Sequence, residues 1–234
     1  MKPLILSDHP HYVIAVKPRG VLSQSPSAQT GQSPDMITLL SQTLDSLIYP
    51  VHRLDRETAG IMVYAKTQKG AAALSRIVSE NGLDKQYLAV CAGVPEETSG
   101  EMHDLLYHDV RKNKSYVVTK KRNGVKEARL AYKVLETLMH EGTPLSLVRV
   151  KLYTGRTHQI RVQLASRTLP LVGDTRYGST FKKEELCLFS ESLHFTDPFD
   201  GTDKSFHACA KDLLCDTDSA FFSPIFAKFS HYPL

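Results

Sequence analysis

A chain of 234 residues with 41% hydrophobic side chains is long enough to bury a sizeable core, as one large domain or two small ones. Its formal charge of +4 is mildly basic, which permits an anionic partner without requiring one. Asp8, His9, Pro10 and His11 interrupt the apolar N-terminus, which excludes a secretory leader or membrane span there, and Cys91, Cys187, Cys209 and Cys215 form no C-x-x-C pair that would suggest a metal or redox role. The expected setting is cytoplasmic, with no membrane partner.

Taken in chain order, the run Tyr12 to Val16 is β-branched and aromatic, and the turn signal Lys17-Pro18-Arg19-Gly20 closes it. Residues 23–33, rich in Ser, Gln and Pro, read as a loop. From Pro34 to Ile48, apolar residues at Ile37, Leu40, Leu44 and Ile48 follow a helical period, and Pro50 ends the element. A strand follows from Gly60 (IMVYAKT), then a helix from Gln68 to Ser79 with Leu74, Ile77 and Val78 on or near one face, then a strand headed by Lys85-Gln86-Tyr87. The segment Arg111 to Arg122 places six cations in twelve residues with no acid, and reads either as a solvated loop or as a contact for phosphate backbone.

Two alternating stretches come next, ARLAYKVLETL and PLSLVRVKLYTG, followed by a helical HQIRVQLAS and a short strand or turn at LVGD. Two further alternating stretches flank an Asp-Pro and a Phe-Asp-Gly turn near the C-terminal end. The sum is an α+β protein, a mixed, mainly antiparallel sheet with short helices. Without a repeat, linker or composition shift, the expectation is one domain over residues 1–234.

Two constellations carry chemistry. His52 to Gly60, H-R-L-D-R-E-T-A-G, presents Asp55 between cations after a short apolar lead-in. A positioned carboxylate there could serve as a nucleophile, a base or an ion-pair anchor, and an Asp that merely caps a turn and pairs with an Arg would read the same. Glu57 follows too closely for the two carboxylates to flank a glycosidic bond, and no Gly-rich phosphate loop precedes the segment. No His pair with ligand spacing supports a metal. The second constellation, Gly155 to Arg161 (G-R-T-H-Q-I-R), offers Arg156 and Arg161 around a helix start, where an anion could be met. His158 has no Ser or Cys nucleophile motif beside it, and a structural role is its simpler reading.

These segments belong to a set. The chain resembles the RluA family of pseudouridine synthases through H-R-L-D-x-x-T-A-G at 52–60, K-Q-Y at 85–87, G-R-T-H-Q-I-R-V at 155–162 and G-D-x-x-Y-G at 173–178, with V-K-P-x-G-V-L at 16–22 as a weaker fifth match. The resemblance implies the pseudouridine synthase catalytic fold and isomerisation of a uridine in a tRNA or rRNA stem-loop. It assigns Asp55 as nucleophile, Tyr87 as the ring that packs on the base, and Arg161 as the partner of the reacting carboxylate. Arg53 would help hold or replace a flipped-out nucleotide, and His52, Thr58, Lys85, Arg156 and His158 complete the substrate contacts it implies. It implies no cofactor and no metal, and a monomer is the default. V-K-P-R-G begins at Val16, so no separate N-terminal RNA-binding domain is expected.

Five positions depart from the family pattern. Ala59 stands where Ser is usual and Gln163 where His is usual. Leu188-Phe189-Ser190 occupies the place of L-H-A, and Asp197 that of a common His.

Overall fold

Six consecutive residues buried on both faces, Tyr12 to Lys17, make a strand that only the middle of a sheet can accommodate. The computed structural model describes residues 2–25, 35–208 and 224–229. In chain order the first elements are β1 (Leu4–Asp8), β2 (Tyr12–Lys17), α1 (Met36–Leu44), β3 (Tyr49–Pro50), β4 (Ala59–Ala65), α2 (Gln68–Ser79) and β5 (Asp84–Ala92). They are followed by β6 (Ser99–Asp109), β7 (Lys114–Val118), β8 (Val125–His140), β9 (Thr143–Leu152), α3 (Gln159–Ala165), β10 (Leu188–Thr196) and β11 (Asp203–His207). The fold class is the expected one, mainly antiparallel sheet with three short α-helices among the described residues.

The chain packs as two units, Met1–Lys85 with Ser190–Phe221, and Gln86–Phe189 with Phe222–Leu234. In the first, the strand order is β1-β2-β4-β10, with β3 on β4 and β11 on β10. β4 is buried over all seven residues and pairs antiparallel with β2, Lys17 opposite Gly60 and Tyr12 opposite Ala65. Thr67 caps α2 by accepting from the Gly70 N–H at 3.0 Å, and Asp35 caps α1 by accepting from the Thr38 N–H at 3.0 Å. The helix expected to reach Ile48 stops at Leu44. Asp45 enters the left-handed region at φ 48°, and its N–H closes on the Ser41 carbonyl, a termination that periodicity does not reveal. Most of the expected 23–33 loop lies outside the described residues.

In the second unit the order is β5-β9-β8-β6-β7. The basic segment is not one loop: its middle is β7, which pairs with β6 in a hairpin, Leu106 opposite Val117 and Tyr107 opposite Tyr116. The alternation is there in Ser115, Tyr116, Val117 and Val118, but the lysines around it conceal it. Leu106 and Ala128 pack with Val162 of α3, and Val117 and Tyr177 join them.

Gly60 carries φ +127°, and a Cβ there would run into the backbone of Ser190 on β10. Gly60→Ala therefore costs about 1–3 kcal/mol, which lowers the Tm by roughly 2–12 °C. Thermal unfolding followed by circular dichroism reads it, and an unchanged Tm would refute the close approach.

Candidate active site

In the first unit, the loop that carries Asp55 is held on both sides of that residue. Leu54 is buried, and a single hydroxyl satisfies its backbone: Ser23 Oγ accepts from the Leu54 N–H at 3.0 Å and donates to the Leu54 carbonyl at 2.9 Å. On the other side the Arg56 carbonyl accepts from the Gly20 N–H at 2.9 Å and from Lys17 Nζ at 3.0 Å. Lys17 is fully buried, and Nζ also donates to the carbonyls of Pro18 and Val21 at 2.9 and 2.7 Å. Burial lowers its pKa to about 7, and the carboxylates of Glu57 and Asp55 pull the other way. A turn from Asp55 to Thr58, closed by the Thr58 N–H on the Asp55 carbonyl at 3.1 Å, leads into β4. Asp55 itself is half-buried, and Arg53 is exposed.

His52 fastens the start of the loop to β4. The Val63 N–H donates to its Nε2 at 3.1 Å, so the neutral ring carries its proton on Nδ1, an atom sealed from solvent and without a partner among the described residues. Burial, reinforced by the nearby charge of Lys85, lowers the ring's pKa to about 3. Lys85 is itself pulled below the ordinary lysine range by burial. Thr58 is buried, and its hydroxyl has no partner among the described residues.

In the second unit, Arg161 projects from α3, buried to 7% exposure, and meets Asp174 side-on: Nε donates to one carboxylate oxygen at 2.7 Å and Nη2 to the other at 2.8 Å. The ring of Tyr177 lies 5.2 Å from the guanidinium carbon. The Tyr177 hydroxyl accepts from the Ser115 N–H at 2.8 Å and shares a hydrogen bond with His158 Nδ1 at 2.9 Å. Ser115 Oγ goes on to the Thr157 carbonyl at 2.6 Å. His158 and Arg161 thus meet around Tyr177. Arg156 does not join them; it is exposed, and its Nε donates to the Glu127 carbonyl at 2.8 Å. Tyr87 is buried on β5. With the Arg161 guanidinium paired to Asp174 and only seven residues in α3, the helix start is organised around that ion pair.

Lys17, Asp174 and Tyr177 stand inside motifs whose spacing does not disclose their tasks; Ser23 and Ser115 carry no signal in the sequence at all. The groups of two residues from one motif, Asp174 and Tyr177, orient an arginine from another, a link that spacing along the chain does not disclose. Among the described residues no cluster of His, Cys, Asp and Glu could hold a metal ion, and no helix is long and apolar enough to cross a membrane.

Residues 11–166 match the model of the RNA pseudouridylate synthase family, and the chain belongs to that family. An uncharacterised RNA pseudouridine synthase of Aquifex aeolicus is 39% identical over 145 residues, 60% of this chain and 44% of that protein. Ribosomal large subunit pseudouridine synthase D of Nitrosomonas europaea is 34% identical over 75% of this chain and 50% of its own length. tRNA pseudouridine synthase C of Vibrio parahaemolyticus is 29% identical over 80% of this chain and 82% of its own. The chain spans about half the length of the first two of these relatives. A solved human structure, RNA Pseudouridylate Synthase Domain Containing 1, shares the fold with TM-score 0.76 at 21% identity, over 95% of this chain and 89% of that one.

Two outcomes follow from the local chemistry. Asp174→Asn removes the carboxylate that meets the buried Arg161 guanidinium side-on and lowers stability by up to about 3–5 kcal/mol; urea unfolding checks this, and a loss under about 1 kcal/mol would contradict it. His52 stays neutral in the folded chain well below pH 6.5, whereas the unfolded chain takes up the proton. Its contribution is therefore complete above pH 6.5 and declines as pH falls from there towards 3. Between pH 6.5 and 5, wild-type stability should fall more steeply than that of His52→Gln, by up to about 1.4 kcal/mol per pH unit; parallel curves would show that His52 titrates normally.

Proposed function

We propose that the protein isomerises a uridine of a tRNA or rRNA stem-loop to pseudouridine, with Asp55 as the nucleophile after the base has been flipped out of its stack. The observation that carries the reading is the half-buried Asp55 on a loop pinned at Leu54 and Arg56, inside the span matched by the family. A carboxylate that must meet one ribose carbon gains from backbone that cannot drift.

The reaction breaks the bond from ribose C1′ to uracil N1 and forms one from C1′ to C5, with the C5 proton passing to N1 in the balance, so no oxidant or co-reactant is consumed. Asp55 either attacks C1′ or removes the ribose C2′ proton in a glycal-type route; each requires the ionised carboxylate. Arg161, oriented by Asp174, takes the part of counter-ion to the reacting carboxylate. Tyr87 is the ring for the uracil to stack on, and Arg53 occupies or guards the place the nucleotide leaves. His52, Thr58, Lys85, Arg156 and His158 are assigned to the substrate or to the groups that hold it. We place the enzyme in the cytoplasm and take it as a monomer.

Pseudouridines are mapped at single-nucleotide resolution in total RNA from cells deleted for the gene, and again after rescue. One or a few sites should vanish on deletion and return with the wild-type protein but not with Asp55→Asn, which should still bind RNA. Sites restored by Asp55→Asn would remove it as nucleophile, and an unchanged map in the deletion would leave RNA binding without catalysis.

A further inference from the structure

The β6–β7 hairpin has one face committed and one open. Leu106 and Val117 point inward to Val162 and Tyr177, and Ser115 to the Thr157 carbonyl. Alternation along the strands therefore turns Tyr107, Tyr116 and Val118 the other way. Tyr107 and Tyr116 stand directly opposite each other on this outer face, and Tyr116 is 36% exposed. Cations flank the two rings: the Arg122 guanidinium lies 4.8 Å from the Tyr107 centroid, and Lys114 Nζ, set between the faces at 5.3 Å from the inner Tyr177 ring, lies 5.8 Å from that of Tyr116.

The cations of the segment are not equivalent. Lys121 is taken by Glu127 at 2.7 Å. Arg111, Lys112 and Lys120 are exposed, and among the described residues none of them has a carboxylate within ion-pair distance. The turn between the strands is also held in shape. Arg176 donates to the Lys112 and Asn113 carbonyls, and the Asp109 carboxylate accepts from the Lys112 N–H at 3.1 Å. Paired rings on an open sheet face, rimmed by unpaired cations on a braced turn, is the arrangement that receives an unpaired base with its flanking phosphates.

We propose that this outer face of the β6–β7 hairpin is an RNA-binding surface in its own right, where a single-stranded base stacks on the Tyr116–Tyr107 pair while Arg111, Lys112 and Lys120 take neighbouring phosphates. It rests on the reading of the substrate as RNA. The surface holds RNA outside the nucleotide being isomerised, so it sets how tightly the RNA is bound rather than how fast the bond is exchanged.

The test measures fluorescence anisotropy of the full chain with a fluorescein-labelled, mixed-sequence single-stranded RNA of about 20 nucleotides, and with the same length as duplex, across a salt series. Tyr116→Ala should weaken single-strand binding roughly 5- to 100-fold and duplex binding far less, whereas Tyr116→Phe, which keeps the ring, stays within about twofold. A combined Arg111→Gln, Lys112→Gln and Lys120→Gln variant should reduce the salt dependence by about two to three phosphate contacts. In pseudouridine formation on RNA from deletion cells, the Tyr116→Ala loss should fall on the half-saturating RNA concentration rather than on kcat. Single-strand binding by Tyr116→Ala equal to wild type overturns the proposal whether or not product forms, as do equal losses on duplex and single strand. Wild-type protein that binds RNA but yields no pseudouridine overturns the isomerase reading and leaves this surface standing.

Discussion

One hydroxyl pins the loop that carries Asp55. Ser23 Oγ takes both backbone groups of Leu54, the residue before Asp55, while Lys17 and Gly20 hold the carbonyl of the residue after it. The anchors come from the end of β2 and the turn beyond it, and β2 is itself clasped by β4, the strand that the Asp55 loop leads into. Loop and support are thus two ends of one antiparallel pair. A loop built this way has the precision of the sheet rather than of a surface connection.

The second unit solves the matching problem with charge. Arg161 is buried, so its guanidinium must be paired, and Asp174 pairs it side-on while Tyr177 covers one side. The value of a buried pair of this kind lies mostly in orientation, because desolvation cancels much of its Coulomb energy. Tyr177 then ties the pair to β7 through the Ser115 N–H, so the arginine's position is referred to the sheet as well.

Much of this was legible in the sequence because alternation and turn chemistry are local. The strand Tyr12 to Val16, the helix Gln68 to Ser79 and the two long strands before G-R-T-H-Q-I-R were all readable from their own residues. Where local signals compete, reading failed: α1 ended early at a left-handed Asp45, and lysines hid the strand inside Arg111 to Arg122. The motif residues could be named, but the tasks of Lys17, Ser23, Asp174 and Tyr177 depend on partners distant in sequence. The departures from the family pattern also find partners. Gln163 donates to Asp104 at 2.7 Å, Ser190 to the Ile61 carbonyl at 3.2 Å, and Asp197 accepts from the Tyr12 hydroxyl at 2.6 Å. Ala59 is buried to 1% exposure, a place where a small side chain suffices.

The contact between Gly60 and Ser190 joins segments on either side of nearly the whole second unit. The first unit is discontinuous, and β10 completes its sheet only once the chain has been made past Thr196. During synthesis, then, β4 waits with the early part of one edge, around Gly60 and Ile61, unpaired while the residues of the intervening unit emerge and can fold as a continuous block. The carboxylate loop is assembled early by its neighbours in sequence, yet the sheet beneath it closes last, so a ribosome that stalls before β10 releases a chain with its anchors in place and its foundation open to aggregation.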